Sequence, residues 1–455
     1  MWTKLHGDVV KAFFYRLDEA GIKFFIIRNF EGLPYGNSSK DVDIILKHGT
    51  AFKAEQLLKK VLKDYGFAYY YQLRIDECLV CRGVTSNGEF SIHIDLMNGY
   101  INRGYELFSF EELYEQTEDY NGFKVLNAQY NGIMLFIYKQ FGYKNPYLKQ
   151  TYIDEIVTAY QKFPEFSDVL RKMLGTSLFG NIEGCIIERN SEKMLRLSGK
   201  VDKQLRAYAD KKHYLKNKYR YFKFVLQKVN RIIFNYRKYE KSFSVMAPDG
   251  TGKTTFLEKL VEKLAFIYVN DKMDKRRYHV YHFRPSIFPN LGEVGEKAKI
   301  KKQDKDFTNP HRAKPAGFVS SIIRLTYYWL DYVIGWSMCT RKDVQYDFYT
   351  IYDRYSYDLL ADPGRTRLNI PYVIRALFVR CMPHPKINFY LCASPETILS
   401  RKKELTKGDI VHMQSKYRKI VDNFNNIYTI DAEESVDKMA DKALKVLIDK
   451  YWEKL

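Results

Sequence analysis

Hydrophobic and polar positions follow two rhythms along this chain, and the change between them divides it. Short apolar runs dominate the first 125 residues. A helical period covers Asp8 to Leu17, and an apolar β run follows at Ile22 to Ile27. Asp41-Val-Asp-Ile-Ile-Leu46 reads as a strand with acids at its start, and Ala51 to Lys63 reads as a helix. Phe67 to Leu73 and Glu77 to Val84 read as paired strands. From Glu89 to Leu96 the alternation is strict, with Phe90, Ile92 and Ile94 on one face and Ser91, His93 and Asp95 on the other. From about Ala128 onward the period turns helical and stays so.

The stretch 193–241 is dense in Lys and Arg with Tyr and Phe between them, as in Tyr214, Lys216, Lys218, Tyr219, Arg220, Tyr221 and Lys223. It holds no Pro and only one Gly, so helix is expected over it. The simpler reading is a solvated connector whose aromatics pack on a neighbouring domain. The functional reading is a patch for an anionic surface. At Phe243 the pattern changes again. Apolar strands at Phe243 to Met246, Tyr278 to Phe283, Phe348 to Tyr352, Ile387 to Cys392 and Ile427 to Ile430 alternate with helices, the first from Lys253 to about Ala265. Such alternation implies a parallel sheet wrapped by helices. The fold class is therefore α/β. An N-terminal α+β domain is expected over 1–125, a helical region with the basic connector over 126–241, and a parallel-sheet domain over 242–455.

Composition narrows the choice of partners. The 455 residues are 46% hydrophobic, enough for more than one core, and the net charge of +20 favours anionic partners. Nucleotides, phosphorylated sugars and an acidic membrane face all fit, and nucleic acid is not the expected partner. Six scattered cysteines suit a reducing cytosol. The Cys78/Cys81 pair lies in an extended run, where residues three apart face opposite sides, so burial is expected there and not a metal. Met1 to His6 has no apolar core of a leader peptide. The most apolar stretch, Phe318 to Cys339, is interrupted by Arg324 and Asp331, which makes it a buried helix and not a membrane span.

The chemistry concentrates at Ala247-Pro-Asp-Gly-Thr-Gly-Lys-Thr254, which follows G-x-x-x-x-G-K-[ST] with Ala in the first place. Asp249, Gly250, Thr251, Gly252, Lys253, Thr254 and Thr255 are the expected contacts to a nucleoside triphosphate. The glycines let backbone N–H groups converge on phosphate oxygens, and the new helix adds its positive end. Lys253 supplies a point charge, and Thr254 offers a hydroxyl to Mg²⁺. Asp353 ends a later strand, where it can serve the metal, and Arg354 beside it can hold a phosphate bidentately. Arg284 ends another strand. Ser394-Pro-Glu396 starts a helix that delivers Arg401, Lys402 and Lys403.

Together, Asp249-Gly-Thr-Gly-Lys-Thr254, Arg284-Pro285, Asp353-Arg-Tyr355 and the basic segment at Arg401 resemble the thymidylate kinase family over roughly Phe243 to Leu455. The resemblance implies ATP and Mg²⁺ as cofactors. It implies Lys253, Asp353, Arg354 and Arg401 as catalytic residues, with Arg284, Arg354 and Tyr355 on the acceptor and Thr254 and Asp353 at the metal. Asp249 would face the acceptor's sugar. Gly250 stands where some members carry a catalytic Arg, so Arg401 or Lys402 would supply that charge. The base-reading Gln of thymidylate kinases is missing. The run Asp358-Leu-Leu-Ala-Asp-Pro-Gly-Arg365 looks more like the thymidylate kinase-like proteins of bacterial surface polysaccharide synthesis. The expected activity is phosphoryl transfer to a small phosphorylated acceptor, a nucleotide or a sugar phosphate.

A second constellation lies in the first domain. Asp41 and Asp43 share one face of a strand, and with Asp95 they could hold two Mg²⁺ ions and activate an oxygen for attack on an α-phosphate. Residues 10–125 resemble the polymerase-β type of nucleotidyltransferase, with Arg28-Asn29 and Gly36-Asn-Ser-Ser39 near the place of its Gly-Ser turn. A bifunctional nucleotidyltransferase/kinase is therefore the alternative, and an ATP-binding scaffold docked through 193–241 is another. The expected location is cytoplasmic, with the inner membrane face as a further option, and a homodimer is compatible with all of these.

Overall fold

A computed structural model describes residues 2–37, 41–141, 150–269, 278–289, 315–402 and 406–455. The chain divides into two compact units. One is Met1–Gln227 with Ile267–Asn270 and Trp452–Leu455, and the other is Lys228–Phe266 with Asp271–Tyr451.

The first unit is built on strands β1 (Phe24–Ile27), β2 (Asp41–Leu46), β3 (Phe67–Ile75), β4 (Cys78–Thr85) and β5 (Ser91–Asn98). A small hairpin, β6 (Ile101–Asn102) and β7 (Tyr105–Glu106), precedes β8 (Thr117–Tyr120) and β9 (Phe123–Leu126). One eight-stranded sheet runs Glu453–Lys454, β3, β4, β5, β2, β1, β9, β8. β2 lies antiparallel to β1 and parallel to β5. Period-two alternation sorts the side chains between two cores. Phe24, Ile26, Ile44 and Ile94 pack with Phe13, Leu17, Leu58 and Val61 from the helices Lys4–Glu19 and Ala51–Asp64. Phe25, Ile27 and Ile45 join Phe110, Ile133, Phe136, Ile153 and Phe166 on the opposite side. Burying each such side chain contributes about 1.5–3 kcal/mol. Asn127 starts the helix Ala128–Gln140 by accepting from the Tyr130 N–H at 2.9 Å.

The basic stretch is helical, as its composition suggests: Ser198–Val229, with a kink at His213. Some of its rings pack as expected, Tyr221 on Tyr105 at 5.8 Å and Tyr208 against the core that holds Phe110 and Ile133, but others do not. The cations turn toward acids of the first unit, with Lys212 on Glu112 at 2.8 Å, Arg220 on Glu106 at 2.7 Å and Lys223 on Glu77 at 3.3 Å. The rings of Tyr214, Tyr219 and Phe222 stand exposed. Cys81 is buried and receives the Tyr70 hydroxyl at 3.0 Å, and both Cys78 and Cys81 are free thiols.

The second unit holds β10 (Lys241–Met246), β11 (Tyr278–His282), β12 (Tyr349–Asp353), β13 (Ile387–Cys392) and β14 (Ile427–Asp431). They form one sheet in the order β11, β12, β10, β13, β14, and every pairing is parallel. β10 is central and buried along its whole length, and its polar members are paired there, Lys241 with Asp347 at 2.7 Å and Ser244 with Asn388 at 2.7 Å. Parallel strands place their carboxyl ends on one edge, and the register sets Val245 and His282 beside Asp353. A core of Tyr332, Trp336, Tyr352, Tyr355, Tyr390 and Tyr417 lies beneath that edge. The helix Phe318–Tyr346 is buried on one face only, at Leu325, Tyr332 and Trp336, while Val319, Ile323 and Met338 are exposed. Among the described residues no helix is long and apolar enough to cross a membrane.

Candidate functional site

The site begins where β10 ends. Met246 is the last strand residue, the loop turns through Gly250 and Gly252, and the helix Lys253–Val269 starts at once. Both glycines lie in the left-handed region, at φ 88° and 95°, where a side chain is strained. A Cβ on Gly250 would stand 3.0 Å from Lys402 Cβ and 3.2 Å from the Ile398 carbonyl oxygen. The loop therefore closes against the helix Pro395–Arg401 and admits only glycine at this point. Thr251 is buried and donates its hydroxyl to the Pro248 carbonyl at 2.8 Å, while Thr254 and Thr255 are exposed on the first turn of the helix. Such a turn, with N–H groups at a helix start and an ammonium beside them, suits a polyphosphate.

Lys253 and Asp353 meet across the sheet edge in an ion pair. The other Asp353 oxygen takes a hydrogen bond from His282 Nδ1 at 3.0 Å. Burial works against the charge on Asp353, but the His282 bond and the Lys253 ammonium hold its carboxyl well below the usual carboxylate range. The exposed Thr254 hydroxyl and this carboxylate are hard oxygen donors of the type Mg²⁺ takes.

Arg354 follows in the left-handed region, at φ 70°. Its N–H is held by the Val245 carbonyl at 2.9 Å, and its guanidinium reaches Asp358 at 2.6 Å and also Asp249. The buried Tyr417 hydroxyl completes Asp358 at 2.9 Å. Arg365 also binds Asp249, with its Nε 3.4 Å from Asp362. Burial opposes the charge on Asp249, yet Arg354, Arg365, Lys402 and Lys253 keep its carboxyl below the ordinary range. Arg284, at the end of β11, is buried and paired with Asp331 at 2.8 Å.

The structure thus brings Asp249, Lys253, Asp353 and Arg354 together, with Arg284 on the same sheet edge. Arg401 lies against the glycine loop, and one expected site residue, Tyr355, lies elsewhere. Tyr355, expected on the acceptor, is wholly buried, packs on Tyr332, Tyr352 and Trp336, and donates its hydroxyl to the Pro383 carbonyl at 2.6 Å. Arg401, expected on the transferring phosphoryl, donates to two backbone carbonyls, Thr251 at 3.0 Å and Ala432 at 3.2 Å. It braces the loop from the side. Lys403 lies outside the described residues. His282 and Arg365 are not among the expected site residues. Arg365 follows a Pro-Gly pair in a loop, and nothing local in the sequence ties it to Asp249.

In the first unit Asp41, Asp43 and Asp95 fall on neighbouring positions of β2 and β5, with Asp43 opposite Asp95. The side chains are turned to other work. Arg28 grips Asp43 at 2.7 Å, and His93 takes Asp95 at 2.9 Å. Burial pushes the Asp43 carboxyl up to about 7 against the pull of Arg28, and the charges of Asp41 and Asp95 add to the rise. Among the described residues no group of three or more His, Cys, Asp or Glu side chains is arranged to hold a metal ion. At the place expected for two metal ions, Arg28 is paired with Asp43 and His93 with Asp95. Ser38 and Ser39, near the place of the Gly-Ser turn, are outside the described residues.

No protein-family description matches the chain. No curated protein sequence matches it. Among solved structures it is similar to thymidylate kinase from Ehrlichia chaffeensis, at 17% identity and a TM-score of 0.30, over 46% of this chain and 98% of that one.

Proposed function

We propose that the second unit is an ATP- and Mg²⁺-dependent phosphotransferase acting on a small phosphorylated acceptor. The observation that supports it most is the Lys253–Asp353 pair, set at a glycine turn and flanked by Arg354 on one sheet edge. In this reading the loop N–H groups and Lys253 hold the donor phosphates. Thr254 and Asp353 would hold Mg²⁺, which would supply neutralisation of charge on the phosphates. When nucleotide and metal enter, Lys253 leaves Asp353 for the phosphates. Arg354 grips the acceptor, and Arg284, fixed by Asp331, contributes a second charge on the same edge. The acceptor is a nucleotide or a sugar phosphate, and surface-glycan synthesis is a setting in which such an enzyme would serve. The bifunctional reading is not favoured, because Arg28 holds Asp43.

The test mixes purified protein with labelled ATP, Mg²⁺ and a panel of nucleoside monophosphates and sugar phosphates. Acceptor-dependent transfer is expected, falling on the order of 10²–10³-fold in Lys253→Ala. Transfer that is absent from the wild type, or equal in the variant, refutes the assignment.

A further inference from the structure

Two guanidinium groups from separate segments, Arg354 after β12 and Arg365 in the following loop, converge on one carboxylate, that of Asp249. Arg354 approaches Oδ1 and Arg365 approaches Oδ2. Each guanidinium is anchored by its other edge, Arg354 on Asp358 and Arg365 on Asp362. The two sides of the cluster differ in access. The Asp358 side chain is wholly buried, whereas those of Asp249 and Arg365 are 24% and 20% exposed. The Arg354 side chain is itself only 3% exposed, so an incoming molecule reaches the pair of guanidinium groups from the side of Asp249 and Arg365. Two forks, each giving an N–H to one of two oxygens on a single centre, match a phosphate as well as they match a carboxylate.

We propose that Arg354 and Arg365 together seat the anionic group of the acceptor, and that the Asp249 carboxylate holds this seat until the acceptor displaces it. The proposal rests on the phosphotransferase reading and deepens it. It makes Arg365 a specificity residue and defines the acceptor as a phosphate monoester. A dianion gains more from two guanidinium groups than the monoanionic carboxylate it replaces. A neutral acceptor that displaces Asp249 leaves the outward edges of both guanidinium groups, which Asp358 and Asp362 do not cover, without an anion. The phosphate can be carried by a sugar or by a nucleoside, and the chemistry of the seat is common to both.

Calorimetry with inorganic phosphate tests the seat, with the glycine loop first saturated by a non-hydrolysable ATP analogue and Mg²⁺. Weak phosphate binding is expected for the wild type. Asp249→Asn, with its competing charge removed, is expected to bind about 10-fold more tightly or better. Arg365→Gln added to Asp249→Asn is expected to abolish the gain, and Arg365→Lys to keep part of it. In turnover, Arg365→Gln is expected to raise the acceptor KM roughly 10–100-fold while kcat changes little. Circular dichroism checks each variant, and Asp249→Ser replaces any Asn variant that misfolds. Separate acceptor arms with sugar phosphates, nucleoside monophosphates and their unphosphorylated parents identify the carrier. If the analogue does not bind, the phosphotransferase reading itself fails. If the analogue binds but phosphate is indifferent to Asp249 and Arg365, or unphosphorylated parents react equally, the seat alone is overturned.

Discussion

Single buried charges in this chain are tied to named partners, so their removal has a calculable sign. Arg284 is 5% exposed, and the Asp331 carboxylate that holds it also accepts the Ser286 N–H at 3.1 Å and the Phe288 N–H at 2.9 Å. Asp331→Ala leaves one uncompensated guanidinium and two orphaned N–H groups. Breaking a buried pair in this way costs about 3–5 kcal/mol, which urea unfolding followed by near-ultraviolet dichroism reads directly. An equal midpoint in wild type and variant contradicts the ion-pair account of Arg284. Glu106 offers a pH signature. Its burial raises the carboxyl, but the hydrogen bonds from His48 and Arg220 prevail and hold it at about 2 instead of 4.5. A depressed carboxylate stabilises the fold above its unfolded value and loses that contribution as pH falls through the folded one. Glu106→Gln is therefore expected to be destabilised at pH 7, and its deficit to shrink as pH drops from about 4.5 toward 2. Thermal unfolding over that range measures the gap. A deficit independent of pH would mean that the charge on Glu106 is not what stabilises this corner of the fold.

At the level of elements, the glycine loop depends on the helix that closes against it. Pro395–Arg401 is started by Ser394, whose hydroxyl oxygen accepts the Thr397 N–H at 3.2 Å, and Arg401 at its other end reaches the loop carbonyl of Thr251. Gly250→Ala puts a methyl group between loop and helix in a backbone region that disfavours it. A loss of about 1–2 kcal/mol is expected, with ATP affinity reduced on the order of 10-fold. Melting curves and calorimetry on the same sample check it, and normal affinity would show that the loop adapts. The same contrast explains what is legible in the sequence. Strand β2 at Asp41–Leu46, strand β13 at Ile387–Cys392 and the helix start at Lys253 follow from local period and a local motif, and the structure places them at those residues. Arg365 and Asp249 lie far apart in the chain, and only tertiary folding joins them. Tyr355 misleads because its neighbour Arg354 does face the site. One step along the chain turns the tyrosine ring into the core, where Trp336 and Tyr352 enclose it. The basic helix is legible only in part, because its composition shows that cations and rings alternate but not that Arg220 and Lys223 meet Glu106 and Glu77 while Tyr221 packs and Tyr219 stays exposed.

For the whole molecule, the decisive question is how many metal centres one chain carries. A count of carboxylates suggests two, one in each unit. Charge neutralisation argues for one. In the first unit the backbone of Arg28 and Asn29 sits in the left-handed region, at φ 55° and 48°, which few non-glycine residues adopt without compensation. The compensation is visible: the Arg28 N–H is held by Asn131 at 3.1 Å, and its guanidinium lies over Tyr138 at 4.1 Å while binding Asp43. A cation so anchored does for Asp43 what a divalent ion would otherwise do, and a metal could enter only by expelling it. In the second unit the cation on Asp353 is Lys253, which a polyphosphate can draw away. Metal uptake is therefore expected to require nucleotide and to come from the second unit alone. Electron paramagnetic resonance with Mn²⁺ is expected to show no bound ion in nucleotide-free protein and one per chain once ATP is added. That ion should vanish in Lys253→Ala and persist in Asp43→Asn. Arg28→Ala, which strips Asp43 of its counter-ion, should create a weak nucleotide-independent site. Mn²⁺ bound by the wild type without nucleotide, and lost in Asp43→Asn, would mean that the first unit is a metal centre after all and that the guanidinium yields to the ion.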